Sequence, residues 1–370
     1  MKKIGIDARM LGGGFGIGRY VQKLVEHLEI EDSENEYVIF LRKENWDAYS
    51  PVNDRFTKVL ADIPWYSWKE QVVLPYILRS QNLDLMHFPH FNVPVLYGRP
   101  FIVTIHDLIM FHAQDSARSA VTTRHPLIHR FKHACFRFVI RNAARKSKHI
   151  IAVSHAVAKD IHSTLGVPEN HIRVIYEASD PLPGADQLLP PGVQERSILY
   201  VGSCYPHKNL TTLLNVWKLL KRQKQSIQLV ICGQNDVFAE RFRDEIALFG
   251  LESSVIHIGP VSDASLATLY AHATALISAS LQEGFGLQII EAMRASLPVL
   301  CSRIPAFEEV AGEAAVFFDP TDARDILTKI SAILSDPLLV DALVKKGVLR
   351  AACFQWKETV RCTRDLYLAL

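Results

Sequence analysis

Short apolar runs recur along the chain, and stretches with the apolar spacing of helices separate most of them. In the first half, strands are predicted at 37–41, 84–88, 101–106 and 149–153, after an opening strand at 3–7. In the second half they fall at 197–201, 227–232, 255–258, 275–278 and 298–301. The strands are apolar throughout rather than alternating, which is the pattern of parallel sheets covered on both faces by crossover helices. Two such series predict an α/β chain of two Rossmann-like domains. At 370 residues it is longer than one domain usually supports.

Between the series, residues 180–193 read DPLPGADQLLPPGV, where neither helix nor strand can continue. The expected division is therefore a first domain over 1–180, a linker over 181–195 and a second domain over 196–354. Composition adds little to this picture and excludes one class. Forty-one basic and 39 acidic side chains give a net charge of +2, unlike the strongly basic footprint of a nucleic-acid-binding domain. The six cysteines are scattered with no CxxC pair, which fits buried thiols in a reducing compartment. Asp7 interrupts any leader-like apolar core, and no apolar run approaches the ~18 residues of a membrane span. A cytoplasmic protein, peripheral at most on the inner face of the membrane, is expected.

Open parallel sheets bind ligands at the carboxyl ends of their strands, and glycines collect there. Gly202, Gly233 and Gly259 end strands of the second half, and GGGFGIG, residues 12–18, follows the first strand. Glycine lets backbone approach a ligand closely, so these edges are expected to face one another across an interdomain cleft. Gly16, Gly18 and Gly233 are candidate donor-binding positions, and Val261 lies in the loop after the 255–258 strand. The strongest local signal is EGFGLQIIE, residues 283–291, after the strand ALIS. Gly284, Phe285 and Gly286 lead into a helix near Leu287, whose first-turn amides suit a diphosphate. Glu283 stands at its mouth and Glu291 two turns on. Each can accept hydrogen bonds from a hydroxyl pair. Lys208 lies just past Gly202, where a fixed cation stabilises a departing diphosphate.

These segments resemble the large family four of retaining glycosyltransferases, of GT-B fold. The likeness runs through GIDARML and GIGRY, TIHDL, AVSHAVAKDI, YVGSCYPHKNL, GPVSDASLATLY and EGFGLQIIEAM, nearly the whole chain. It implies that Glu283 binds donor-sugar hydroxyls, Glu291 the ribose, and Lys208 with the 285–287 backbone the diphosphate. It implies that His106 hydrogen-bonds the donor sugar near the reacting carbon, and that backbone around 259–262 reads the base. It also implies that the closing segment, 355–370, is a helix that returns to the first domain. Many relatives carry arginine where this chain has Ser203, and Arg19 is a candidate substitute. Asp7, Arg19 and Asp107 are acceptor-side candidates. GIGRY with YPHKN is most like bacterial mannosyltransferases of polysaccharide and lipid-linked glycan assembly, implying GDP-mannose. UDP-sugars stay open.

No D-x-D occurs, the pair by which other transferases hold Mn²⁺ or Mg²⁺ near phosphates. A metal-free, cofactor-free reaction is expected. No unassigned carboxylate follows a cleft strand, which favours front-side attack with the leaving phosphate taking the acceptor proton. An NAD-dependent oxidoreductase would need an acidic residue after the second strand, and Arg42 and Lys43 stand there. A GT-B sugar-nucleotide epimerase would need general acid–base carboxylates at the sugar. A non-catalytic sensor would have no use for the full Lys208, Glu283 and Glu291 set. Finally, residues 116–159 hold no acidic side chain but many basic ones. On a helix from about Pro126, Arg130, His133, Arg137 and Arg141 share one face. Ile128, Phe131, Cys135, Phe138 and Val139 share the opposite face. The expectation is an apolar face on the sheet and a basic face, extended by Arg145, toward solvent or an anionic membrane.

Overall fold

The computed structural model describes residues 1–12, 16–112, 126–182, 184 and 188–370, the side chains of 126–132 excepted. It divides into two compact units, 1–177 with 356–370 and 178–355. In the first unit the strands are β1 (Lys3–Asp7), β2 (Glu36–Leu41), β3 (Phe56–Leu60), β4 (Leu85–Phe88), β5 (Phe101–Ile105), β6 (Ile150–Ala152) and β7 (Ile172–Val174). They form one sheet in the order β3-β2-β1-β4-β5-β6-β7, every pair parallel. The second unit has β8 (Ser197–Val201), β9 (Gln228–Cys232), β10 (Val255–Gly259), β11 (Ala275–Ser278), β12 (Val299–Ser302) and β13 (Ala315–Phe318). Their order is β10-β9-β8-β11-β12-β13, again all parallel.

Three strands were not legible in the apolar pattern, and all three are sheet edges. β3 buries only Phe56, with the polar pair Thr57 exposed and Lys58 half-exposed, and β7 is only three residues, Ile172-Arg173-Val174. β13 is half-exposed over most of its length. An edge strand lacks cover on one side and so lacks the continuous apolar run of a central one. β8, β9, β11 and β12, by contrast, are buried at every position.

Five helices position the functional residues: α1 (Ile17–Glu31), α2 (Pro126–Lys146), α3 (Leu210–Arg222), α4 (Leu287–Arg294) and α5 (Trp356–Ala369). α1 buries Tyr20, Val21, Leu24, Val25 and Leu28, one stripe of helical period. α5 packs beside α1. It buries Trp356, Thr359, Val360, Thr363 and Tyr367. Tyr367 reaches the interior of the first sheet, its hydroxyl 2.6 Å from His87 Nδ1. The proline-rich stretch belongs to the second unit, because Gln228 at the start of β9 holds it: Gln194 N donates to Gln228 Oε1 (2.8 Å), and Gln228 Nε2 donates to the Gly192 carbonyl (2.9 Å).

The orientation of α2 corrects the expectation from its charge pattern. Its buried side chains are His133, Ile140, Ala143 and Ala144, whereas Cys135 and Phe138 are exposed, Phe138 by 60%. Half-buried Arg137 and exposed Arg141 lie over the Phe111 ring, their guanidinium carbons 4.4 and 5.1 Å from its centre. A cation–π seat and the His133 contact to the Met110 carbonyl (3.1 Å) select this face over the apolar one. The side chains of Ile128, Arg130 and Phe131 lie outside the described residues, as do Arg118 and Arg124.

Candidate active site

In each sheet the strand order reverses once, between β1 and β4 and between β8 and β11, and the residues singled out above gather at the carboxyl ends of those strands. In the second unit β8 ends at Val201, and Gly202 adopts φ +148°. A Cβ on Gly233 would lie 2.0 Å from the Gly202 carbonyl oxygen, so glycine is obligatory there because two strand ends touch. Tyr200 donates its hydroxyl to the Ser203 carbonyl at 2.7 Å and fixes the loop. The chain then makes a single turn over Pro206–Lys208, and α3 begins after Asn209. Asn209 bonds to the carbonyls of Ala279 (3.1 Å) and Pro320 (2.7 Å), clamping this turn to the loop after β11.

That clamp brings together the strongest sequence candidates. Lys208 Nζ lies 2.5 Å from Glu283 Oε1, and Ser280 donates to the same oxygen at 2.8 Å. The lysine and glutamate side chains are 16% and 11% exposed, so the pair is largely desolvated yet reachable. Beside it, burial and then the Lys208 charge push His207 down to about 4, so this imidazole is neutral. Gly284 and Phe285 are buried, Phe285 edge-on to Phe354 at 5.6 Å. Gly286 takes φ +106° where a Cβ would meet Phe307 at 2.7 Å, and its lack of a side chain leaves the first turn of α4 without a side-chain cap. α4 starts at Leu287. Its Glu291 is buried and accepts from the Tyr270 hydroxyl at 3.1 Å. Val261 is half-buried in the loop after β10.

In the first unit, Gly16 takes φ +66° before α1, and a Cβ on Gly18 would lie 2.0 Å from the Gly12 carbonyl oxygen. Arg19 is half-buried in the first turn of α1. Asp7, at the end of β1, receives Arg9 at 2.7 Å, and the same guanidinium bonds Glu70 at 2.7 Å. The Arg9 side chain is completely buried. Burial alone would lower its proton affinity, but Asp7 and Glu70 more than reverse this. Burial raises the Glu70 carboxyl, although Arg9 opposes it. Asn92 completes the cluster, donating to Glu70 Oε1 at 2.8 Å, and His90 lies beside it, pushed down to about 3 by burial. His106 follows β5, between Glu177 and the Pro89 carbonyl. Asp107 accepts from the Ile109 amide at 2.9 Å.

The residues that sequence reasoning missed are therefore Arg9, Glu70, Glu177 and Tyr270. Arg9 in GIDARML was a readable signal, an arginine just past a strand end. Glu177 was not, because it follows β7, whose three residues carry no strand pattern. No cluster of three His, Cys, Asp or Glu side chains suited to a metal occurs among the described residues.

Two parallel-sheet units with these strand-end sites define a nucleotide-sugar transferase of GT-B architecture. Residues 15–182 match glycosyltransferase family 4, and residues 189–349 match glycosyl transferases group 1. The O-antigen chain mannosyltransferase RfbU of Salmonella typhimurium is 28% identical over 281 residues, 76% of this chain and 73% of that protein. An Escherichia coli relative, O-antigen chain mannosyltransferase B, is 25% identical over 96% of both chains. Among solved structures, sucrose-phosphate synthase from Thermosynechococcus elongatus superposes with a TM-score of 0.80 at 21% identity, covering 100% of this chain and 99% of that one. The chain carries both of these glycosyltransferase domains and is a glycosyltransferase.

Proposed function

We propose that this enzyme transfers mannose from GDP-mannose to a glycan or lipid-linked acceptor, with retention at the anomeric carbon and without a metal. The observation that carries the reading is the Lys208–Glu283 contact between the loops after β8 and β11. A cation and a carboxylate at 2.5 Å in a partly open site can exchange partners: a donor diphosphate takes the lysine, and sugar hydroxyls donate to the freed carboxylate oxygens. Lys208, with the first-turn amides of α4, then meets the charge that develops on the leaving diphosphate, the task a metal performs elsewhere. Glu291, which accepts from Tyr270, is assigned to the ribose. Mannose is supported by the mannosyltransferase names of the two relatives.

Retention is assigned to front-side attack. The acceptor oxygen bonds to the anomeric carbon as the diphosphate oxygen leaves from the same face. That oxygen takes the acceptor's proton. The fully described carboxylates of the first unit's edge are committed elsewhere, Asp7 to Arg9 and Glu177 to His106. Asp107 and Arg19 stay acceptor-side candidates.

Contact with an anionic membrane is the further part of the proposal, now resting on the outer end of α2. Arg141 and Arg145 are exposed there, as is Lys148 just beyond it, and Phe138 is an exposed aromatic on the same helix. Among the described residues no helix is long and apolar enough to cross a membrane.

Purified enzyme incubated with GDP-mannose, other GDP-sugars and UDP-sugars tests the donor, and NMR of the product reads the anomeric configuration. Turnover selective for GDP-mannose, an α product and full activity in EDTA are expected. Preference for a UDP-sugar, inversion, or activity lost in EDTA and restored by Mn²⁺ each overturns the corresponding part. Salt-sensitive co-sedimentation with anionic vesicles, weakened by R145Q and F138S, tests the membrane surface. Recovery equal to that with neutral vesicles refutes it.

A further inference from the structure

His106 is more constrained than a histidine that merely fills a strand end. Its Nε2 lies 2.9 Å from the Pro89 carbonyl oxygen, and its Nδ1 lies 2.7 Å from Glu177 Oε1. A backbone carbonyl only accepts, so Nε2 carries a proton. A carboxylate also only accepts, so Nδ1 carries one too, unless the carboxyl itself holds it and donates back. Both distributions contain the same number of protons. The pair is net neutral, one proton richer than a neutral imidazole beside a carboxylate. The hydrogen bond to Glu177 and its negative charge favour that proton on the ring.

We infer that Glu177 is a positioning residue: it holds the His106 ring doubly protonated and edge-on to Tyr20, and transfer requires that state. The inference rests on the transferase reading above and adds to it a residue outside the recognised motifs. Tyr20 on α1 meets the ring at 4.8 Å between centres and 82° between planes, so the imidazole has one seat. When the dyad loses its proton, the one remaining N–H stays on the carboxylate, and the bare Nε2 lone pair faces the Pro89 carbonyl oxygen at 2.9 Å, a repulsive contact that loosens the ring's seat.

The surroundings agree. Burial works against the charged ring, but the hydrogen bond and charge of Glu177 outweigh it, with smaller help from Pro89 and Asp107, and the ring's affinity for its proton is raised above 6.5. From the β4 side, His87 and His90 are each pushed down to about 3 by burial and stay neutral, so neither competes for the proton. The Tyr20 phenol is raised, chiefly by burial, and is neutral as well. Asp7 faces His90 and is bonded to Arg9. Among these groups Glu177 and Asp107 are the anions that act on the ring.

The test is ¹⁵N-histidine NMR of the full chain, with the His106 signal assigned by its loss in His106→Asn, beside kcat/KM profiles against pH. In the wild type, both ring nitrogens should carry protons at pH 7, and the alkaline limb of kcat/KM should coincide with their titration. In Glu177→Gln, the amide oxygen still accepts from Nδ1–H and keeps the fold. The ring should nevertheless titrate about one unit lower or more, a tenfold weaker hold on the proton. The alkaline limb should move with it, with kcat at pH 7.5 down about tenfold and donor KM little changed. Glu177→Asp should restore most of the limb's position. A neutral His106 ring in the wild type at pH 7 overturns the inference. So does a Glu177→Gln enzyme with the wild-type pH profile, which would leave Glu177 a packing residue. The NMR titration needs no turnover, so a failure of the transferase reading and a failure of this one are told apart.

Discussion

The two sheet edges are built from the same topology and put their charges to opposite use. At the end of β8 and β11, Lys208 and Glu283 meet with 16% and 11% of their side chains exposed. At the end of β1, Arg9 and Glu70 meet with 0% and 1% exposed. The first pair is reachable and can trade its partner for a ligand's phosphate or hydroxyl. The second is sealed, and its members are satisfied within the protein, Arg9 also by Asp7 and Glu70 also by Asn92. A buried ion pair adds little net stability over an apolar core, yet breaking it strands an uncompensated charge. The sealed pair therefore shapes the first unit's edge, while the reachable one is placed for chemistry.

The largest effects should separate these two roles. Lys208→Ala should lower turnover roughly 10²–10³-fold, the usual loss for a group that stabilises developing charge, with the melting temperature nearly unchanged. Steady-state kinetics beside calorimetry checks this, and near wild-type turnover would remove Lys208 from the phosphate. Arg9→Met should do the reverse, costing about 3–5 kcal/mol of stability by leaving Asp7 and Glu70 unpaired. Turnover per folded molecule should be retained. Urea denaturation measures the loss, and a change below about 1 kcal/mol would mean that the cluster relaxes or fills with water.

Smaller effects sharpen the comparison. Tyr270→Phe removes one hydrogen bond to buried Glu291, worth about 1 kcal/mol. Donor KM should rise severalfold with kcat intact, because ribose contacts are felt alike in ground and transition states. A collapsed kcat with normal KM contradicts that place for the ribose. The smallest effect is a pH dependence of stability from His106. Its folded affinity is raised above 6.5, so its contribution is complete below that pH and is lost as pH rises through the folded value. The wild-type melting temperature should fall more steeply above neutrality than that of Glu177→Gln, as scanning calorimetry across pH would show. Parallel slopes would refute the linkage.

Legibility in the sequence followed the same division. Most of the second unit's site lies in two short segments, 200–210 and 280–291, each attached to a fully buried strand, so apolar runs and glycines located both. The first unit's edge draws Asp7, Glu70, His90, Asn92, His106 and Glu177 from dispersed segments, and Glu177 follows an edge strand too short to register. The basic helix α2 shows the limit most directly. Its amphipathic pattern was real, but the helix buries His133 and lays Arg137 and Arg141 over Phe111, and Phe138 is turned outward.

By itself, the sequence determined the two parallel sheets, the glycine positions where backbone meets backbone, and the lysine and glutamates of the segments after β8 and β11. Each depends on local periodicity or on steric demands within a few residues. Tertiary structure alone decided which cation meets which carboxylate, which face of α2 is buried, and that His106 is held between Glu177 and Pro89. Those outcomes depend on strand order and on competition among distant partners for one buried position, and no linear spacing encodes either.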